Sequence, residues 1–140
     1  MSPLKTFIVE DSPVIRESLI ATLEELGLVQ VVGWAADEAA ALCWLANPDH
    51  GAKLAIVDIF LNGGSGLGVL RASARRPGGP RMVVLSNYAA PDVRLKCLEL
   101  GAEQVFDKSA AIDELLRYCR GLATDTPHAT AGAADSPPTA

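Results

Sequence analysis

Asp58 closes an apolar run of Leu54, Ala55, Ile56 and Val57, and the glycine-rich stretch Asn62-Gly-Gly-Ser-Gly66 follows it. The run is short, rich in β-branched residues and apolar throughout, which is the pattern of a strand buried on both faces. A carboxylate at the carboxyl end of such a strand stands at the rim of an open α/β sheet, where ligands and reacting groups gather. A lone aspartate there can equally be the cap of a turn or of the next helix. Chemistry needs partners at the same rim, and the chain offers four. Glu10 and Asp11 follow the stretch Leu4 to Val9, Ser86 follows Met82 to Leu85, and Lys108 follows Gln104 to Phe106. Singly, these read as a solvated strand end, a turn residue and a charge near a helix start. Jointly they do not. Three carboxylates brought together repel unless a cation offsets them, and an all-oxygen set suits Mg2+ (or Mn2+). A metal ion, a lysine and a hydroxyl around one aspartate could bind phosphoryl oxygens and stabilise the charge that develops during transfer to Asp58.

The rest of the chain must bring these groups to one edge. Leu4 to Val9 reads as a first strand. Ser12 can cap a helix with Pro13 in its first turn, and Ile15, Leu19, Leu23 and Leu26 follow at helical spacing up to Gly27. Val29, Val31 and Val32 mark a second strand ending at Trp34, and Asp37 caps a second helix that Asn47 and Pro48 end. The Asp58 strand is third. A helix from Leu67 to Arg76 follows it, broken by Pro77-Gly-Gly-Pro80. Met82 to Leu85 is the fourth strand, and a helix runs from Pro91 to Gly101. Gln104 to Phe106 is the fifth strand, and Ser109 caps a last helix reaching about Arg120. Alternating strands and helices of this length imply a parallel sheet covered on both faces, with all strand ends on one rim. Residues 1–121 therefore read as one folded domain. From residue 122 the composition turns to Ala, Thr, Pro, Gly and Asp, and residues 122–140 read as a disordered tail.

Composition narrows the function classes. Of 140 residues, 49% are hydrophobic and 5% aromatic, which gives an aliphatic core. A formal charge of −5, from 12 basic and 17 acidic side chains, argues against general nucleic-acid or membrane-surface binding. Cys43, Cys97 and Cys119 are far apart without CxxC spacing, and read as reduced, packed thiols of a cytoplasmic protein. No signal peptide is visible, and no stretch approaches the ~18 to 20 apolar residues that span a bilayer. The glycines at 63 to 68 fit no GxGxxG spacing and do not open the first βα turn, so they do not read as a dinucleotide site.

From residue 4 to about 120 the chain resembles the receiver domain of bacterial two-component response regulators, the CheY-like superfamily. The likeness rests on Glu10-Asp11, on Asp58 with Gly66 eight positions later, on Ser86 ending the fourth strand, on Gly101-Ala102 and on Lys108 ending the fifth. It implies a flavodoxin-like (βα)5 fold with strand order 2-1-3-4-5. It implies that Asp58 accepts a phosphoryl group from the phosphohistidine of a histidine kinase or a histidine phosphotransfer domain. It also implies that Asp11, Asp58 and the Phe60 carbonyl hold Mg2+ with Glu10 acting through a water, and that Ser86 and Lys108 bind phosphoryl oxygens.

Several positions depart from the family pattern. Asn62 stands where the family usually has proline, so a looser loop is expected. Ser109 follows the lysine in place of proline, so the Lys108–Ser109 bond is expected to be trans. Val105 stands where many receivers carry an aromatic switch residue, with Phe106 beside it; either Phe106 substitutes or the signal leaves by another route. Phe60 and Tyr88 occupy the two variable positions flanking the site, and their apolar cover predicts a comparatively long-lived phosphoaspartate.

Only about 20 residues follow the fifth helix, fewer than the ~50 a further domain needs. The reading is a single-domain regulator with no DNA-binding output and an unknown downstream protein partner. The face of helix four, strand five and helix five, with Arg94, Lys96, Arg117 and Arg120, is the expected contact surface and a possible dimer face. Such a domain is not an enzyme in the ordinary sense, although it assists its own phosphorylation and dephosphorylation. One rival is a degenerate receiver that binds partners without phosphorylation. Another, a haloacid-dehalogenase-like phosphohydrolase, needs a second aspartate at the position of Phe60.

Overall fold

The computed structural model describes residues 3–25, 27, 29–73, 79–86, 90–107 and 112–125. Five strands alternate with five helices: β1 (Leu4–Val9), α1 (Pro13–Glu25), β2 (Val29–Ala35), α2 (Glu38–Ala46), β3 (Leu54–Val57), α3 (Gly66–Ser73), β4 (Arg81–Ser86), α4 (Pro91–Glu99), β5 (Gln104–Asp107) and α5 (Ile112–Asp125). The strands form one parallel sheet in the order β2-β1-β3-β4-β5, as expected.

Helix starts follow from local chemistry. The Ser12 hydroxyl accepts from the Ile15 N–H at 3.3 Å, so Pro13 opens α1 where its missing N–H is harmless. The Asp37 carboxylate accepts from the Ala40 N–H at 2.8 Å and caps α2.

Alternation along the strands divides the core in two. Phe7, Val9, Ala55, Val57, Met82, Val84 and Val105 pack with residues of α2, α3 and α4, including Ala41, Leu45, Val69, Leu70 and Cys97. Ile8, Leu54, Ile56, Val83, Leu85 and Phe106 pack on the other face with Leu19 and Leu23 of α1 and Leu115 and Cys119 of α5. All four residues of β3 are buried, and the Leu54, Ile56 and Val57 side chains each contribute roughly 1.5–3 kcal/mol when taken fully from water.

Two expectations need adjustment, the end of the fifth helix and the packing of all three thiols. Helix α5 runs to Asp125, past Arg120 and across the expected boundary at residue 121, because Leu122 still packs against the α1–α5 side of the core. Residues 126–140 of the expected tail, the end of the third helix near Arg76, and the Ser109 cap lie outside the described residues. Of the three thiols, Cys97 and Cys119 are packed, and burial pushes Cys119 up to about 11; Cys43 is exposed on α2. Among the described residues, no helix is long and apolar enough to cross a membrane.

Candidate functional site

The register of the sheet sets the site. Val9 pairs with Val57, and Val57 with Val84, so Glu10 and Asp58 leave adjacent strands side by side. The Asp58 N–H donates to the Val9 carbonyl at 3.0 Å, and the Glu10 N–H to the Ala35 carbonyl at 3.0 Å. These bonds carry the strand pairing one residue past the strands and fix both backbones at the rim. Glu10, Asp11 and Asp58 each present a carboxylate oxygen within 4.8 Å of the others. Glu10 and Asp58 are buried, at 2% and 7% exposure, while Asp11 is half-buried. Beside Glu10 and Asp58 lies an apolar set, Ile8, Val9, Leu19, Ile56 and Leu85. Three carboxylates so placed are a poor arrangement alone and a good one around a hard divalent cation.

Ser86 ends β4 fully buried, paired with Asp107 of β5. Lys108 lies outside the described residues, as does Tyr88. Phe60 follows the site with its side chain 55% exposed, so it is not by itself a closed cover over Asp58.

Hydrogen bonds hold the carboxylates in place. The Phe60 N–H donates to Asp58 Oδ1 at 3.1 Å, the Ser12 N–H to Glu10 Oε2 at 3.1 Å, and the Asn62 N–H to Asp11 Oδ2 at 2.8 Å. Arg16, which carried no sequence signal, donates from Nη1 to the Glu10 carbonyl at 2.9 Å while its guanidinium lies 3.7 Å from the Trp34 ring centre. It ties the first turn of α1 to the end of β1.

Asn62 does not leave the loop between β3 and α3 untethered. Besides the Asp11 bond, Phe60 bridges Ser65 across the loop, the Gly66 N–H donates to the Ile59 carbonyl at 2.9 Å, and Ser65 accepts from the Leu67 N–H at 3.0 Å. Gly66 lies so close to Asp58 that a Cβ there would overlap the Asp58 carbonyl oxygen and stand 2.7 Å from the Ile59 Cα. That contact is the physical reason for a glycine eight positions after Asp58.

Phe106 does not stand in for an aromatic at position 105. It belongs to the α1–α5 side of the core, where its ring meets Tyr118 edge-on at 5.8 Å. Val105 is buried on the opposite side, and its carbonyl accepts from Arg94 Nη1 of α4 at 2.8 Å.

Residues 6–120 match the family model of the response regulator receiver domain. The chain is 33% identical over 115 residues to a protein-glutamate methylesterase/protein-glutamine glutaminase of Myxococcus xanthus, covering 80% of this chain and 32% of that protein. It is 32% identical over 123 residues to a probable transcriptional regulatory protein of a Picosynechococcus species, covering 84% of this chain and 48% of that protein. It thus spans about a third to a half of the length of these curated relatives. The signal receiver domain of the response regulator NarL from Mycobacterium tuberculosis superposes with a TM-score of 0.77 at 27% identity, covering 89% of this chain and 98% of that one. Since the family model runs from within β1 into α5, and so takes in every strand end that forms the acidic rim, this chain belongs to the response regulator receiver domains of two-component signalling.

Proposed function

We propose that Asp58 accepts a phosphoryl group from the phosphohistidine of a histidine kinase or a histidine phosphotransfer domain, and that phosphorylation changes the affinity of this domain for a downstream protein. The observation that carries the reading is the meeting of the Glu10, Asp11 and Asp58 carboxylate oxygens within 4.8 Å at the carboxyl ends of buried parallel strands. The donor set fits Mg2+ (or Mn2+), held by Asp11, Asp58 and the Phe60 carbonyl with Glu10 acting through a water. When bound, the ion supplies positive charge that offsets the carboxylates and the incoming phosphoryl oxygens.

The chain's own groups do the remainder. An Asp58 carboxylate oxygen forms the new bond to phosphorus as the phosphorus–nitrogen bond of phosphohistidine breaks, and the imidazole leaves with the electron pair. The Phe60 N–H fixes the plane of the attacking carboxylate through Oδ1. The Ser86 hydroxyl donates to a phosphoryl oxygen, and the Lys108 ammonium pairs with another. Burial of Asp58 and Ser86 strengthens each of these interactions over its value in water. The phosphoryl group adds about −1.5 to −2 of charge at the rim. We place the partner surface on α4, β5 and α5, where Arg94, Lys96, Arg117 and Arg120 are exposed; this is also the face a dimer would use.

The test is incubation with Mg2+ and small phosphodonors such as acetyl phosphate, followed by intact-mass measurement. The wild type gains one phosphate adduct, chelation of the metal prevents it, and Asp58→Ala shows none. A wild type that stays unmodified with several donors, or an Asp58→Ala protein modified to the same extent, overturns the reading; the first result favours a receiver that binds without phosphorylation.

A further inference from the structure

Glu38 is the first residue of α2, and it grips the loop after Asp58 from both sides. Its backbone N–H donates to the Gly63 carbonyl at 2.9 Å, and its Oε1 accepts from the Ser65 N–H at 2.8 Å. Two glycines make room for it. A Cβ on Gly64 would stand 2.6 Å from the Glu38 Cβ, and a Cβ on Gly68 would overlap Glu38 Oε2. The side chain therefore lies in a cradle that any larger residue at 64 or 68 would fill. On its other side the same loop gives the Asn62 N–H to Asp11 Oδ2 at 2.8 Å. Residues 62–65 are thus suspended between α2 and one of the three clustered carboxylates.

We propose that Glu38 is a positioning residue for the acceptor site: by holding Gly63 and Ser65 it sets where the loop presents the Asn62 N–H to Asp11 and the Phe60 carbonyl to the cation. This rests on the reading of Asp58 as phosphoacceptor. A backbone donor aimed at a ligating carboxylate fixes the oxygen that remains for the metal, and loss of such outer partners commonly lowers metal affinity about 10- to 100-fold. The competing role is simpler. A negative charge in the first turn complements the helix dipole, and it would matter for stability alone.

Two conservative variants separate these roles. Glu38→Gln removes the charge and keeps an oxygen for the Ser65 N–H; Glu38→Asp keeps the charge and shortens the reach. We expect Glu38→Asp and Glu38→Ala to bind Mn2+ about tenfold more weakly by calorimetry, and to accept phosphoryl groups from acetyl phosphate more slowly even at saturating metal. Glu38→Gln stays within about twofold to threefold of the wild type in both, since its oxygen keeps the bond. In the metal-free protein, amide exchange read by NMR speeds up in Glu38→Asp at Ser65 and also at Asn62, whose N–H Glu38 does not touch. If Glu38→Gln falls with Glu38→Ala while Glu38→Asp behaves as wild type, charge at the helix start is the whole role and the proposal is wrong. If Glu38→Asp binds Mn2+ and protects Asn62 as the wild type does, it is likewise wrong. A wild type that takes no phosphoryl group overturns the acceptor reading instead, and the Mn2+ affinities and the Asn62 exchange still decide the role of Glu38.

Discussion

The turn between β1 and α1 and the loop between β3 and α3 meet at the three carboxylates, and they are built differently. In the first, the bonds that link the turn to α1 are local, Ser12 to Glu10, Ile15 to Ser12 and Arg16 to the Glu10 carbonyl, none spanning more than 6 positions, and its described remote ties are the Glu10 N–H to the Ala35 carbonyl and the bond Asp11 shares with Asn62. In the second, local bonds such as Phe60 N–H to Asp58 and Leu67 N–H to Ser65 are joined by ties from far away in sequence, from Asp11 at 51 positions and from Glu38 at 27. A turn bonded mainly to its own helix can take most of its shape with that helix. A loop tied to remote residues acquires its shape only when the sheet and α2 are in place. The acidic pair thus comes on a support shaped mainly by its own helix start, and Asp58 on one that also needs α2.

The strongest challenge to that distinction is Gly66→Ala. Its Cβ would push on the backbone of Asp58 and Ile59 rather than on a flexible side chain. We expect a stability loss of about 2–3 kcal/mol in urea denaturation, with reduced phosphoryl uptake at temperatures where the variant is folded. A neutral result would mean that the second loop is less tightly assembled than its contacts indicate. Gly64→Ala comes next. Gly64 has φ +90°, a conformation that costs an L side chain about 1–2 kcal/mol, and the added methyl would meet Glu38. Its stability loss should be accompanied by slower phosphorylation. The smallest effect belongs to the local turn. Ser12→Ala removes the cap of α1 at a cost of about 1 kcal/mol, with the phosphorylation rate unchanged once the fold is intact. If Ser12→Ala slowed phosphorylation as much as Gly64→Ala, the two supports would have to be regarded as one.

The same division governs what could be read from the sequence. Ser12-Pro13 and Asp37 announced their helix starts because a cap is a bond over three positions. The strands and their common rim followed because buried parallel strands have an apolar signature of their own, while their order was implied by the resemblance to receiver domains. The meeting of Glu10, Asp11 and Asp58 needed only the strands to be in register. Glu38 was invisible for the opposite reason: a glutamate opening a helix satisfies the dipole anywhere, and nothing local reveals that its carboxylate reaches another loop. The glycines at 64 and 68 were visible as a cluster, but their shared partner was not. The exclusion of Phe106 as a substitute for an aromatic at 105 was available in principle, because neighbouring residues of a strand face opposite sides of the sheet. Phe106 had to join the α1–α5 side once Val105 joined the other.

The cradle around Glu38 also couples the ways in which this chain can change. A side chain at position 68 overlaps the carboxylate of Glu38, but not a residue shortened at 38. A side chain at 68 must displace the Glu38 carboxylate and with it the bond to Ser65, whereas once position 38 has been shortened that bond is already gone, so the two replacements should not add. Positions 38 and 68, thirty residues apart in the chain, form a small epistatic unit in which whichever replacement comes first loses the Ser65 bond and the second adds little.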